Sequence, residues 1–306
     1  MIVIGESIHV LSAKVKEAIA NRDTAFIQSL AKEQVEKGAQ IVDLNIGPQK
    51  KEGVEVMSWM VQAVQDVVDV PISLDTTNSA AIEAGLRLCR KQALINSTDA
   101  TAERLAAMMP LAAEYGAGIV ALTLGTSGLP TSADARISLA VESIIPAAME
   151  NNVPMEHIYF DPLVLTVNGN QDQAQHTIEA VRFFRQMSDP PPKTTCGLSN
   201  ISNGAPKEMR GLINRVFLVM MMGAGLDTAI MDPLDQEIMD VLRIVENRDT
   251  STPLGRLYVG LYDNYANCVP FDCSQGDLSD QEQKDVCKTI DMLENKFIYA
   301  HSYLRL

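Results

Sequence analysis

Residues 194–203 read TTCGLSNISN, a stretch that passes from strand-forming residues into Gly, Ser and Asn. This order predicts a β-strand over residues 194–200 whose polar side chains lie at its carboxyl end. In a parallel α/β barrel, the carboxyl ends of the strands meet on one face, and active sites are built there. We therefore expect other strands of the chain to carry polar residues at the same end.

Short apolar runs alternate with segments of helical period from the first residue to about residue 247. The predicted strands cover residues 2–8, 41–47, 72–77, 93–97, 118–125, 158–164, 194–200 and 228–233. The predicted helices cover residues 24–37, 52–68, 78–89, 101–115, 134–150, 171–187, 208–222 and 235–247. Eight βα units in this order predict an α/β fold, a (β/α)8 TIM barrel formed by residues 1–247. No G-x-G-x-x-G motif follows the first strand, which argues against a dinucleotide-binding sheet.

Residues 248–306 interrupt this rhythm. Pro, Gly and Asp occur together with several aromatic residues in residues 248–278, which predicts an ordered segment rather than a flexible linker. A last helix is predicted at about residues 279–300. Its apolar face comprises Val286, Ile290, Leu293 and Phe297. We interpret residues 248–306 as a C-terminal extension that ends in a helix and packs on the barrel or on a second subunit.

The composition is typical of a globular protein, with 46% hydrophobic and 21% charged residues among 306. The net charge of −14 argues against nucleic acid or an anionic membrane as the main partner, and it leaves a small molecule or another protein. Five scattered cysteines without a C-x-x-C pair predict reduced thiols in a cytoplasmic protein. We expect neither a secretion signal nor a membrane span, because no basic leader and no apolar run of about 18 residues is visible.

Polar residues end most of the predicted strands. They are Glu6, Asp43 with Asn45, Asp75, Asn96, Asp161 and Asn200. Neutral Asn beside Asp suits a flat heterocycle with adjacent N–H donors, such as a pterin, because a carboxylate accepts two N–H groups and a carboxamide both donates and accepts. No His lies at a strand end, and Cys and Lys are scarce there, so we expect no metal site, no Schiff-base lysine and no cysteine nucleophile.

Each of these residues also has a purely structural interpretation. Asp75 can cap the helix that follows it, and Asn96 can belong to a turn that leads into the next helix. Asp161 precedes Pro162, a common strand-to-turn pair. Asp43 can simply hydrogen-bond within the rim of the barrel. A ligand site is favoured only because all these residues end successive strands.

Four motifs in this order resemble those of the methyltetrahydrofolate-binding methyltransferases. They are SLDTT at 73–77, INST at 95–98, FDPL at 160–163 and GLSN at 197–200. That family includes the methyltransferase of the corrinoid iron–sulfur protein, the methyltransferase II components of O-demethylases and the folate module of cobalamin-dependent methionine synthase. The resemblance extends from Met1 to about residue 245. It implies methyl transfer between N5 of 5-methyltetrahydrofolate and the cobalt of a corrinoid (cobalamin) on a partner protein, since no D-x-H-x-x-G corrinoid motif occurs in this chain.

The resemblance also implies roles for individual residues. Asp75, Asn96 and Asp161 hold the pterin ring, and Asn200 is the catalytic residue that reaches N5. Asn203 is a further substrate-binding residue. The first strand reads GESIHV, where relatives more often have GERIN or GERTN, so an arginine contact of the family is missing. The family further implies a homodimer.

Two other functions stay open at this point. A dihydropteroate synthase-like enzyme has the same barrel, but it needs basic residues near the seventh and eighth strands for its pyrophosphate leaving group. Lys193 precedes the seventh strand, whereas Lys207 and Arg210 lie in the next helix. A non-catalytic folate-binding subunit is the other alternative.

Overall fold

The computed structural model describes residues 1–305, which contain a sheet of eight parallel strands in the order β7-β6-β5-β4-β3-β2-β1-β8. The strands are β1 (Ile2–Gly5), β2 (Ile41–Asn45), β3 (Ile72–Asp75), β4 (Leu94–Thr98), β5 (Gly118–Leu122), β6 (Ile158–Asp161), β7 (Lys193–Thr194) and β8 (Thr228–Met231). The Ile230 N–H donates to the Cys196 carbonyl at 2.9 Å, and Gly197 forms a bridge to Ile230. These contacts join the two edges, and the predicted (β/α)8 barrel is confirmed.

Helices cover the outside of the barrel. They are α1 (Ala13–Asn21), α2 (Thr24–Lys37), α3 (Gly53–Gln65), α4 (Ser79–Leu88), α5 (Ala102–Tyr115), α6 (Ala133–Leu139), α7 (Ile145–Glu150), α8 (Val167–Asn170), α9 (Gln173–Phe184), α10 (Lys207–Gly223), α11 (Gln236–Asn247), α12 (Pro253–Ala266) and α13 (Gln281–Leu293). A π-helical turn, Ala140–Ile144, joins α6 to α7. Within residues 1–305, no helix combines the length and the apolar character needed to cross a membrane.

The two faces of each strand explain where polar chemistry can collect. Successive side chains of a strand point alternately into the barrel and towards the helices. An apolar cluster inside the barrel includes Ile4, Ile41, Leu94, Val120 and Tyr159. Further along these strands, at the carboxyl end of several of them, the inward-facing residues are polar or charged. The barrel interior therefore changes from apolar at its base to polar at its mouth.

The strand predicted over residues 194–200 is wrong after Thr194. β7 covers only Lys193–Thr194, and residues 198–202 form a 3-10 turn. The Asn200 N–H donates to the Gly197 carbonyl within this turn. Gly, Ser and Asn favour such local hydrogen bonds over a strand ladder, which explains the early end of β7.

Three helices were not predicted, namely α1, the four-residue α8 and α12. α12 contains Gly255 and Gly260 and begins with Pro253, so its local helix preference is weak. It forms on the surface of α10, where the two backbones meet closely at Gly223. A Cβ added to Gly223 would lie 2.7 Å from the Tyr262 carbonyl oxygen, so only glycine allows this approach.

The last helix, α13, also packs on α10. Tyr258 of α12 and Ile290 of α13 are buried in one apolar cluster with Phe217 and Met221 of α10. α13 ends at Leu293, earlier than the predicted boundary near residue 300. The residues after 247 therefore contact the barrel directly, and the division of the chain at residue 247 into a barrel and a C-terminal extension stays a prediction.

Candidate active site at the barrel mouth

The polar residues predicted at strand ends meet on neighbouring strands. Asn45 lies in register with Asp75, and Asp75 with Asn96. Asp161 ends β6, in register with Leu122 at the end of β5. Because they continue the inward-facing positions of their strands, Asp75, Asn96 and Asp161 face the mouth of the barrel.

On β2, β3 and β4, these side chains bond to one another. The Asn45 carboxamide donates to Asp75, and the Asn96 carboxamide donates to Asp43 at 3.1 Å. The Ser73 hydroxyl donates to the same oxygen of Asp43. Within residues 1–305, the side-chain carbonyl oxygen of Asn96 accepts no hydrogen bond. That oxygen is thus oriented by Asp43 and left able to accept an N–H group from a ligand.

Asp161 is held by backbone groups instead. Its carboxylate accepts the Leu163 N–H at 2.7 Å, and the Gly197 N–H lies close enough to favour its charged form. Its side chain is buried, with 6% of the residue exposed. Two N–H groups from separate loops therefore set the orientation of this carboxylate.

Arg136 of α6 fixes the loop that follows Asp161. Its guanidinium is fully buried and donates to the Pro162 carbonyl at 2.6 Å, to the Leu163 carbonyl and to the Gln173 side chain. Its positive charge also acts on Asp161. Arg136 was not among the predicted site residues. A signal was available, because Arg136 lies at helical spacing between buried Ala133 and Ala140.

Arg104 of α5 has the same role behind β3 and β4. Its guanidinium donates to the Thr76, Thr77 and Ser97 carbonyls and to the Ser79 hydroxyl. The loops that follow Asp75 and Asn96 are therefore joined by one side chain. Arg104 was not predicted either, and no local pattern marks it.

Asn200 lies on the 3-10 turn after β7, beside Asp161. Its Nδ2 atom is 3.1 Å from the position that a Cβ of Gly197 would take, and the Gly197 N–H lies close to the Asp161 carboxylate. Asn200 is exposed, as is Asn203. Within residues 1–305, the Asn203 side chain makes no hydrogen bond, although its carbonyl accepts the Thr166 hydroxyl. The structure thus brings Asn200 to the other predicted site residues, and it leaves the role of Asn203 a prediction.

Glu6 follows β1 and lies near the turn that carries Asn200. Its carboxyl group is close to the Ser199 side chain, which favours the ionised form, and close enough to Asp232 for the two charges to repel. Asp232 in turn accepts the Ser7 hydroxyl at 2.8 Å. Glu6 and Asp232 thus form a second set of acidic side chains, on the side of the mouth that is formed by β7, β8 and β1.

Burial dominates the electrostatics of the mouth. It raises the pKa of Asp161 to about 7, although the Leu163 and Gly197 N–H groups and Arg136 oppose the rise. Burial also raises the pKa of Asp75 to about 6, against the hydrogen bond from Asn45. The pKa of Glu6 is raised to about 7 by burial and by Asp232, and that of Asp43 is raised well above its usual range by burial and by Asp75. These carboxyl groups lack enough positive or N–H partners, so a ligand rich in N–H donors would stabilise their charged forms.

The donor and acceptor set suits one kind of ligand. Two carboxylates and one free carboxamide oxygen face a common space, and a flat heterocycle with several N–H groups can satisfy all three. A pterin has this pattern. The residues at the mouth therefore fit the pterin that the sequence predicted.

Comparison with known proteins also indicates a pterin-binding protein. The sequence profile described as "Pterin binding enzyme" matches residues 12–232. The methylcorrinoid:tetrahydrofolate methyltransferase of Eubacterium limosum is 30% identical over 244 residues, which are 79% of this chain and 89% of that protein. The methionine synthase of Mycobacterium tuberculosis is 32% identical over 258 residues. These are 81% of this chain but only 21% of that much longer protein.

Solved structures with the same fold include dihydropteroate synthases. The enzyme from Thermus thermophilus in complex with 6HMPPP superposes with a TM-score of 0.56 at 20% identity, covering 80% of this chain and 93% of that chain. The Yersinia pestis enzyme with a sulfonamide drug superposes with a TM-score of 0.59 at 17% identity, covering 82% and 94%. At such low identity, these likenesses concern the fold alone.

Proposed function

The chain belongs to the family of pterin-binding enzymes and, within it, to the methyltetrahydrofolate:corrinoid protein methyltransferases, and we propose that it transfers a methyl group between N5 of 5-methyltetrahydrofolate and the cobalt of a corrinoid on a partner protein. One observation carries the proposal: Asp75, Asn96 and Asp161 converge on the mouth of the barrel, with Asn200 beside Asp161. The enzyme is a methyltransferase, its substrate is a folate, and its corrinoid comes from a partner.

The ring is held by groups that are already oriented. Asp75 and Asp161 accept N–H groups of the pterin, and the carbonyl oxygen of Asn96 accepts another. Since the three side chains are fixed by Asn45, Asp43 and backbone N–H groups, little ordering is needed when the ring binds.

Asn200 acts at the atom that reacts. When the methyl group leaves, the electron pair of the C–N bond stays on N5, which takes a proton and yields tetrahydrofolate. A tertiary amine is a poor leaving group, so negative charge developing at N5 must be stabilised. The Asn200 carboxamide donates a hydrogen bond to N5 that becomes stronger as this charge develops, and such differential binding lowers the barrier. The proton itself comes from solvent, to which this side of the mouth is exposed.

A corrinoid on another protein must reach N5, and two residues of the turn at 198–202, Ser199 and Asn200, have exposed side chains through which it can approach. The partner is proposed to be a corrinoid iron–sulfur protein or the corrinoid protein of an O-demethylase. A homodimer of this chain is also proposed, and sedimentation analysis of the purified protein tests it. A monomer at micromolar concentration would refute the dimer without affecting the chemistry.

A dihydropteroate synthase activity has less support. Lys193 lies at the start of β7, at the base of the barrel, where its ammonium group donates to the Tyr159 hydroxyl at 3.1 Å. Arg210 donates to the carbonyl of Ala205 in its own neighbourhood. Neither side chain is placed to bind a pyrophosphate group above the pterin.

The test is a reaction of the purified protein with 5-methyltetrahydrofolate and free Co(I) cobalamin, followed by absorbance. Methylcobalamin and tetrahydrofolate are expected in equal amounts. Binding of the folate without transfer would favour a non-catalytic folate-binding subunit. Formation of dihydropteroate from p-aminobenzoate and the pterin pyrophosphate, in a parallel assay, would replace the proposal with the synthase function.

A further inference from the structure

One buried side chain joins the C-terminal extension to the loop after β6. Gln171 directly follows α8, and 7% of the residue is exposed. Its side-chain amide group donates to the Met292 carbonyl at 3.0 Å, to the Asn295 side chain at 2.9 Å and to the Phe297 carbonyl. Its side-chain oxygen accepts the Tyr299 N–H. These four partners lie 121 to 128 positions further along the chain, so Gln171 links two distant segments.

The chain turns directly after α13 to reach Gln171. α13 ends at Leu293, and Asn295 has a φ of 59°, a left-handed conformation that Asn adopts more readily than most residues. The Asn295 N–H donates to the Met292 carbonyl at 3.0 Å. We call residues 295–305 the tail. Since its first residues bond to Gln171, the tail lies beside α8 rather than continuing α13.

α8 in turn contacts the turn after β7, which carries Asn200. The Thr166 hydroxyl accepts the Asn168 N–H at the start of α8 and donates to the Asn203 carbonyl. A Cβ added to Gly204 would lie 2.9 Å from Nδ2 of Asn168, so the two segments approach closely here. The contacts of Gln171 and Thr166 therefore place α8 between the tail and this turn.

The tail and the turn after β7 are also joined through the apolar core. Phe297 and Tyr299 pack against the cluster that contains Ile201 and Ala205. Arg210 of α10 donates to the Ala205 carbonyl at 2.8 Å. Burial raises the pKa of Tyr299, and the positive charge of Arg210 opposes this rise, so Arg210 lies near both segments.

We propose that Gln171 is a positioning residue for methyl transfer, an inference that rests on the proposed function. By fixing α8 against the tail, Gln171 holds the turn after β7 so that the Asn200 carboxamide can reach N5. A displacement of about 1 Å, caused far from the reacting atoms, can lower a rate about 100-fold. The tail is thereby part of the framework that supports the transfer reaction.

The residues that bind the ring have a separate support. Asp161 accepts the Leu163 N–H at 2.7 Å, and Arg136 donates to the carbonyls of Pro162 and Leu163. These contacts precede α8 in the chain and do not pass through Gln171. Loss of the Gln171 carboxamide is therefore expected to change the rate of methyl transfer and not the affinity for the folate.

The experiment compares Gln171→Ala with the matched control Gln283→Ala. Gln283 is 6% exposed, lies in the same C-terminal extension, and accepts the Asp277 N–H at 3.0 Å through its side chain. Both substitutions leave a backbone group without its partner, so both should lower the melting temperature. Single-turnover formation of methylcobalamin, measured well below both melting temperatures, is expected to fall about 10-fold to 100-fold in Gln171→Ala alone. Calorimetric titration should show an unchanged dissociation constant for 5-methyltetrahydrofolate in both variants.

Two substitutions of Thr166 test the next contact along the same route. Thr166→Val removes the hydroxyl that donates to the Asn203 carbonyl, and it should lower the transfer rate without changing folate affinity. Thr166→Ser keeps the hydroxyl and should keep the wild-type rate. In the double variant Gln171→Ala/Thr166→Val, the rate should fall little below that of the slower single variant, because both substitutions act through α8.

Equal transfer rates in Gln171→Ala and Gln283→Ala would overturn the inference while leaving the proposed function intact, and so would a wild-type rate in Thr166→Val. A loss of folate affinity in Gln171→Ala as large as the loss of rate would also overturn it, since Gln171 would then act on ring binding. Failure of the wild-type protein to form methylcobalamin would instead remove the proposed function itself.

Discussion

The two sides of the barrel mouth differ in how their polar groups are held. On the ring side, formed by Asn45, Asp75, Asn96 and Asp161, the side chains bond to one another or to backbone N–H groups. On the transfer side, formed by Glu6, Ser199 and Asn200, Ser199 and Asn200 are exposed on a short 3-10 turn.

This difference matches the two tasks of the proposed reaction. A ring that must be bound in one orientation is served by groups whose positions are fixed before it arrives. Arg104 and Arg136 provide this rigidity from behind, because each ties the loops after the binding strands to a helix. An atom that must be reached by a second protein has to remain accessible. Ser199 and Asn200 of the transfer side are accordingly exposed.

Asn200→Ala should show the largest effect, and this effect should be on the rate of methyl transfer rather than on folate binding. We expect turnover to fall about 100-fold to 1000-fold, equivalent to roughly 2.7–4 kcal/mol, by analogy with the loss of one oxyanion-hole donor. The dissociation constant of 5-methyltetrahydrofolate should change little, because the ring side is intact. Single-turnover formation of methylcobalamin and calorimetric titration separate the two quantities. Turnover close to that of the wild type would remove Asn200 from the catalytic role.

Asp161→Asn should have the opposite pattern, with weaker binding as its main effect. Loss of a charged hydrogen-bond acceptor costs roughly 1.5–3 kcal/mol, so the dissociation constant is expected to rise about 10-fold to 100-fold. Unchanged affinity would place the pterin elsewhere.

Thermal unfolding of the same variant at pH 8 is the control. Burial raises the Asp161 pKa to about 7, so the ionised carboxylate destabilises the fold above that pH. A neutral Asn should therefore leave the protein no less stable. A large drop in melting temperature would mean that the weaker binding reports damage to the fold.

Lowering the pH should also weaken folate binding to the wild-type protein, by a smaller factor than the Asp161→Asn substitution. Asp161, with a pKa raised to about 7, accepts ring N–H groups only when ionised, so affinity is lost as the pH falls below 7. The loss is at most about tenfold per pH unit for this one group. Asp75, with a pKa of about 6, adds to it at lower pH. Folate titrations between pH 8 and 6 measure how the affinity changes with pH. For Asp161→Asn, the affinity should be nearly constant above pH 7. A wild-type affinity that does not vary with pH would contradict the assignment.

Asn203→Ala should have the smallest effect. Its side chain is exposed, and a neutral hydrogen bond to the substrate is worth roughly 0.5–1.5 kcal/mol, so we expect a change of about twofold to tenfold in kcat/KM. Asn200→Ala, which removes the same type of side chain three residues earlier, is the matched comparison. No change would remove Asn203 from the substrate-binding set, whereas an effect as large as that of Asn200→Ala would extend the transfer side along the turn.

Much of the ring side could be predicted from the order of residues along each strand. Asp75 and Asp161 follow apolar runs directly, and a parallel barrel places every such strand end on one face. The strand period of two then places Asp75 on the same face as Ser73, and Asp161 on the same face as Tyr159. The helix α12 and the 3-10 turn at residues 198–202 could not be predicted in this way. The first depends on contact with α10, and the second on local hydrogen bonds that compete with the strand.

The amino-acid sequence by itself determined the barrel and the face on which the polar strand ends meet, because these depend on short periodic patterns. Only the tertiary structure decided how the side chains are held. Asn96 bonds to Asp43, and Arg136 bonds to the loop after β6. Each pair joins residues separated by tens of positions or more, and no local pattern encodes a contact that exists only after the barrel closes.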